Sequence, residues 1–286
     1  MSQAISSSFV QQFEAEVHTA YQRMGSKLSN TVRKKMNVTG TQTTFQKVGK
    51  GAAGTKTRHG NVPTLNIDHT PVVCTLSDFY AADFIDKLDE LKIEHDERGV
   101  VTNALAGAMG RKSDQLIFDA MDSTTNIITE GGTVGLVTSS SRSKVETVFE
   151  AFGNNDVPDD GNRYAAIAPS GWIDLLTQAA FTDADYVGTD DLPFKGGMVA
   201  RRWLSFMFFV HSGVPTSSTT IRKNFFYHSS AIGQASGSEV KTEMNYVPEK
   251  VAHLCTAYLS QGACLVDAAG IYEVQSYGAQ AFSGGE

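Results

Sequence analysis

Between Val17 and Ile67 the sequence contains no aspartate or glutamate. The same stretch carries Arg23, Lys27, Arg33, Lys34, Lys35, Lys47, Lys50, Lys56 and Arg58, nine positive charges. The 286-residue chain is nonetheless acidic, with a formal net charge of −7, because residues 68–286 contribute −14. A basic N-terminal fifth is thus joined to an acidic body. Such asymmetry points to a polyanion partner or to a second copy of the same acidic body.

Other shortages exclude whole classes of protein. The cysteines are only three, Cys74, Cys255 and Cys264, odd in number and without a C-x-x-C pair. That excludes a disulfide framework or a zinc site of the usual spacing and suits a reducing compartment. All three are expected as buried or half-buried small apolar residues. No apolar run approaches the length of a membrane-spanning helix, so no membrane partner is expected. The opening residues, "MSQAISSSFVQQFEAE", lack the basic start and apolar stretch of a secretory signal. None of the histidines forms an H-x-x-x-H pair with a glutamate, and G-x-S-x-G does not occur. The acid pairs Asp159–Asp160 and Asp190–Asp191 lie in Gly/Pro/Asn-rich loops and read as solvated loop charge. His253 and Cys255 share one face of a strand, but two ligands do not make a metal site. No catalytic residue, cofactor or metal follows from the sequence.

One stretch does imitate a nucleotide site. "FQKVGKGAAGTKTRHGN", Phe45 to Asn61, contains G-x-G-x-x-G in Gly49–Gly54, and a phosphate-loop pattern with one residue too many. Both motifs need a strand leading in and a helix starting at the last glycine, whose N-terminus receives the phosphates. The strand is there, in "TQTTFQKV". The helix is not: Gly60, Pro63, Pro71 and many β-branched residues follow, which read as a return strand. The stretch is therefore expected to be a long two-stranded excursion with a flexible, basic, glycine-rich tip.

Along the rest of the chain, Phe9 to Met24 has the spacing of an amphipathic helix, ended by Gly25. "EHDERGVVTNALAGAMGRKSDQLIFDAM", Glu94 to Met121, predicts one long helix. Gly107 and Gly110 inside it make sense where another chain or strand packs closely. Ser143 and Glu146 form a capping box that opens a helix with Val145, Val148, Phe149 and Phe152 on its apolar face. "RYAAIA" predicts a buried strand, and "PSGWIDLLTQAAF" a short helix with Trp172, Leu175, Leu176 and Ala179 inward. "DADYVGTDDLPFKGG" reads as an acidic loop. "WLSFMFFV" and "KNFFYHSSAIG" read as two strands. The end, "MNYVPEKVAHLCTAYLSQGACLVDAAGIYEVQSY", reads as a long strand, a glycine turn, and a final two-stranded piece around "DAAG". The mixture is α+β, without the alternation that predicts a parallel sheet.

This order of elements resembles the major capsid protein of tailed bacteriophages. The resemblance rests on "TTFQKVGKGAAGTKTRHGN" as the extended E-loop, on "DFIDKLDELKIEHDERGVVTNALAGAMGRKSDQLIFDAM" running into the spine helix, and on "GACLVDAAGIYEVQ" closing the peripheral domain. It implies the tailed-phage capsid fold: an N-terminal arm and helix at 1–35, the E-loop hairpin at 36–70, and a peripheral domain with the spine helix at 71–125. An axial α/β domain at 126–250 and return strands of the peripheral domain at 251–286 complete it. It also implies a structural, non-enzymatic role. Copies would assemble in the host cytoplasm, through hexamers and pentamers, into an icosahedral head shell around double-stranded DNA held by non-specific contacts. A separate scaffolding protein, a portal and a cement protein are the partners implied. Lys47, Lys50, Lys56 and Arg58 would meet a neighbouring subunit. The other class to weigh is a nucleic-acid-binding protein that lays residues 17–67 on phosphates. Against it, the basic stretch has little aromatic content beyond Phe45, and the body is acidic.

Overall fold

The computed structural model describes residues 25–90, 92, 96–129, 136, 143–176, 181, 200–218 and 221–277. The helix expected at Phe9–Met24 and the acidic loop containing Asp190–Asp191 lie outside these residues. The chain forms two compact units from interleaved stretches. One contains Gly25, Asp78–Arg111 and Glu239–Leu259; the other contains Ser26–Ser77, Lys112–Ser238 and the chain from Ser260 on.

The larger unit begins with three short elements, β1 (Arg33–Lys35), β2 (Gln42–Val48) and β3 (His69–Thr75). Its centre is a seven-stranded sheet. The strands are β5 (Ile127–Ile128), β6 (Arg163–Ile167), β7 (Arg201–Trp203), β8 (Phe206–Val210), β9 (Thr216–Ser218), β10 (Ile221–His228) and β13 (Ile271–Tyr277). Their order is β5-β13-β10-β6-β8-β7, with β9 on β10. β6 and β8 run parallel, whereas β10 is antiparallel to both its neighbours β6 and β13.

The aromatic content of β10 explains why this sheet is central. Successive side chains of a strand point to opposite faces. Phe226 enters a core with Phe206, Phe208 and Val274, roofed by Val145, Val148 and Phe152 of α3 (Lys144–Asn154) and Trp172 and Leu175 of α4 (Pro169–Leu176). Phe225 and Tyr227 enter a second core with Ile117, Phe118 and Met121 from the end of α2 (Glu97–Asp122). Covered on both faces, β6 and β10 have no need of polar alternation. Each fully buried aromatic contributes roughly 1.5–3 kcal/mol.

Local signals fix the helices. The Ser143 hydroxyl accepts the Glu146 N–H, and the Glu146 carboxylate accepts the Ser143 N–H, completing the expected capping box. Val145, Val148 and Phe152 are buried as the spacing requires, whereas Phe149 is largely exposed. The long helix runs from Glu97 to Asp122, close to its expected span.

Two expectations change. "WLSFMFFV" is not one strand: Leu204 and Ser205 both take positive φ, 45° and 65°, and turn the chain back from β7 to β8. Gly262 is not a turn but lies inside β12 (Ala252–Leu265). β13 joins the seven-stranded sheet beside β10 and β5.

The smaller unit holds β4 (Ser77–Asp86) from Asp78 on, α1 (Lys87–Glu90), the first part of α2, the outer part of β11 (Ile232–Val247) and most of β12. The strand order is β11-β12-β4. Met109, Ala257 and Leu259 make its core, with Leu105, Phe79 and Ala81 against them. Gly110 has the close approach expected of it: a Cβ there would stand 2.6 Å from the Gly25 carbonyl carbon. Because the obstacle is backbone, it cannot rotate away. Gly110→Ala should therefore destabilise the subunit by about 1–3 kcal/mol, the usual cost of overpacking, despite alanine's better helix propensity. Denaturant unfolding of the variant checks this.

Candidate assembly interface

The β2–β3 hairpin is fixed at its root. Its pairing is antiparallel from Gln42↔Thr75 to Val48↔His69. Along β2 only Thr43 and Phe45 are buried. Phe45 packs with Cys74, Ala235 and Val266, and its ring occupies the space a Cβ on Gly233 would need. The Arg33 guanidinium lies 5.6 Å from the Phe45 ring centre, within cation–π range.

Beyond Val48 the ladder closes with one bond, from the Gly49 N–H to the Asp68 carbonyl at 2.8 Å. Residues 49–68 are otherwise exposed, Gly60 excepted. No helix begins after Gly54, so the phosphate-binding reading of the glycines has no dipole to rest on. The glycines serve another purpose. A Cβ on Gly51 would stand 2.6 Å from a Leu65 methyl, and one on Gly54 would stand 2.9 Å from the Pro63 ring. The outgoing limb is bare so that the return limb can lie against it. Four glycines, Gly49, Gly51, Gly54 and Gly60, stand in this stretch. None has positive φ, and the left-handed residue near the tip is His59, at φ 72°.

The four basic residues separate into two pairs. Lys47 Nζ reaches Asp267 at 2.8 Å, and Lys50 Nζ reaches Asp156 at 2.9 Å and the Asn155 carbonyl at 3.3 Å, all within the chain. The Lys50 ammonium holds the Asp156 carboxyl below its ordinary pKa. Lys56 and Arg58 stand exposed at the tip and form no ion pair with a described residue. Sequence reasoning missed the acids that receive Lys47 and Lys50. Asp267 is 220 positions from its lysine and Asp156 is 106, so no local pattern announces either.

Elsewhere the polar groups are structural. Asp159 accepts the Ser205 hydroxyl, and Asp160 accepts Asn162 and His228 Nε2. The Asn162 amide and the His228 ring hold the Asp160 carboxyl far below its ordinary pKa. His253 lies against the Tyr246 ring. No group of three metal-ligating side chains occurs among the described residues.

A family model described as phage capsid protein matches residues 5–277, nearly the whole chain. The chain belongs to the phage capsid protein family. It is a structural protein of the phage head shell and not an enzyme. Solved capsid structures share its fold. Against the capsid of cyanophage P-SCSP1u the TM-score is 0.75 at 15% identity, covering 98% of this chain and 96% of that one. Against the cyanophage Pam1 capsid it is 0.71 at 12%, covering 97% and 98%. Against the capsid of Ralstonia phage GP4 it is 0.68 at 11%, covering 98% and 99%. No curated protein matches in sequence. Mixed helix and strand arranged as in these capsids is the α+β tailed-phage capsid fold that the order of elements implied.

Proposed function

We propose that copies of this capsid protein join through hexamers and pentamers into an icosahedral shell, with the hairpin at 36–70 acting as an E-loop laid on the neighbouring subunit. In this reading 1–35 is the arm, 71–125 and 251–286 supply the peripheral domain, and 126–250 supplies the axial domain. A scaffolding protein, a portal and a cement protein would act with it around packaged double-stranded DNA. The observation that carries the reading is the hairpin's surface. Its root is anchored in its own subunit, whereas Val62 is 71% exposed and Leu65 51%, and Lys56 and Arg58 stand exposed with no ion pair to a described residue. A loop that leaves apolar side chains and cations uncovered is suited to a surface outside its own chain. The acidic body of a second copy supplies the complementary charge.

The test is charge reversal at Lys56 and Arg58 to Glu. Lys50 is left intact, because changing it would also break its bond to Asp156. Each exposed pair is worth roughly 0.2–1 kcal/mol, but the contact repeats around the shell. Particle yield should fall several-fold, and wild-type assembly should respond to salt, since these charges are screened over about 8–10 Å. Particle yield and DNA retention are measured together. Normal particles that have lost DNA binding would overturn the interface role of these two residues.

A further inference from the structure

Cys74 and Cys264 lie together under the root of the hairpin. Both belong to the small core that also holds Phe45, Ala235 and Val266. The two thiols are within hydrogen-bonding reach of each other, and they meet the backbones of Ala235 and Gly233 on β11. A separate contact explains the approach. A Cβ on Gly262 would overlap the Thr75 carbonyl oxygen, so β3 and β12 touch backbone to backbone there. That contact lies one residue from Cys74 and two from Cys264. A disulfide needs Cα atoms about 4.4–6.8 Å apart, and the backbone contact holds the two strands together close to both cysteines.

We propose that Cys74 and Cys264 form a latent redox staple, reduced during assembly and closed to an intrachain disulfide once the particle meets an oxidising medium. The bond would tie β3 to β12 and add a covalent anchor to the root of the hairpin. Cys74 is buried and Cys264 half-buried, so a small oxidant enters from the Cys264 side. The Cys264 thiol, donating toward Cys74, keeps the Cys74 pKa below its ordinary value, which favours the thiolate needed for exchange. With an azodicarboxamide oxidant the step balances. Two S–H bonds break and one S–S bond forms, and the two protons and two electrons pass to the N=N bond, which becomes the hydrazine.

The test treats purified wild-type particles with diamide, then denatures them without reductant, counts thiols and maps peptides by mass. The three thiols should fall to one, Cys255, with a linked Cys74–Cys264 peptide lighter by two hydrogens than the reduced pair. Cys264→Ser particles should keep Cys74 as a free thiol under the same treatment. If that variant fails to assemble, the wild-type peptide map still decides. Three thiols surviving the oxidant, or linkage through Cys255 instead, would overturn the proposal.

Discussion

Removing Gly49–Gly60 should leave a folded subunit that builds no stable particles. The segment contributes almost nothing to the subunit's own core. Its residues are exposed except Gly60, and its apolar side chains are only Ala52 and Ala53. What anchors the hairpin survives: Phe45 and Cys74 stay buried, and the register through Val48↔His69 is untouched. The losses are the Gly49–Asp68 bond and the Lys50–Asp156 pair. With side chains 78% and 80% exposed, that pair is a surface contact of small worth. Circular dichroism and the denaturation midpoint should therefore stay near wild type, within about 1 kcal/mol for the exposed pair. Particle yield by sedimentation and electron microscopy should collapse, because Lys56 and Arg58 leave with the segment and Leu65 and Pro63 lose the limb they lie against. An unfolded monomer would place the segment in the core, and a normal yield of shells would remove it from the interface.

The elements that sequence reasoning found are those with local causes. Ser143 and Glu146 are three residues apart, and their reciprocal bonds define a helix start whatever lies around them. The long helix carried its apolar spacing over 26 residues. The elements it missed depend on distant parts of the chain. The middle of β11, "QASGSEVKTE", has too few apolar residues to read as a strand, yet β11 runs unbroken for 16 residues along β12. Gly262 resembles a turn residue because glycine serves both turns and close approaches, and only the position of Thr75 distinguishes the two. The Leu204–Ser205 turn lacks the Asn-Gly or Asp-Gly that usually marks two positive φ angles. The hairpin itself was legible from β-branched residues, glycines and prolines. The division of its lysines between own-chain acids and open surface was not, since both acids lie more than 100 positions away.

Replacing Asp114 by alanine should cost roughly 3 kcal/mol or more and should free the chain segment that follows Gly25. Asp114, on α2, is fully buried. One carboxylate oxygen accepts the Ser26 hydroxyl at 2.6 Å and the Leu28 N–H at 3.1 Å. The other meets the Lys27 N–H at 3.3 Å and His211 Nε2 at 3.0 Å. The histidine's role follows from its second nitrogen: the Gly213 N–H donates to Nδ1, so Nε2 carries the proton and donates it to Asp114. Alanine would leave these donors facing one another without an acceptor, and each orphaned buried group costs about 1–3 kcal/mol. Burial by itself raises the carboxyl pKa, but the bonds from His211, Ser26 and Leu28 outweigh it, and the net shift is downward. The sign of the pH dependence follows. A carboxyl depressed in the folded state stabilises fully above its unfolded pKa of about 3.9, and that contribution is lost as the pH falls through the lower folded value. Wild-type stability should hold at neutral pH and decline below about pH 4. In Asp114→Asn, which keeps an acceptor but cannot titrate, this part of the decline should vanish while neutral stability falls less than in Asp114→Ala. Unfolding curves of the three proteins from neutral pH to pH 3, with hydrogen exchange at Lys27 and Leu28, measure both effects. An alanine variant as stable as wild type, with Lys27 and Leu28 still protected, would show that the carboxylate does not clasp this segment.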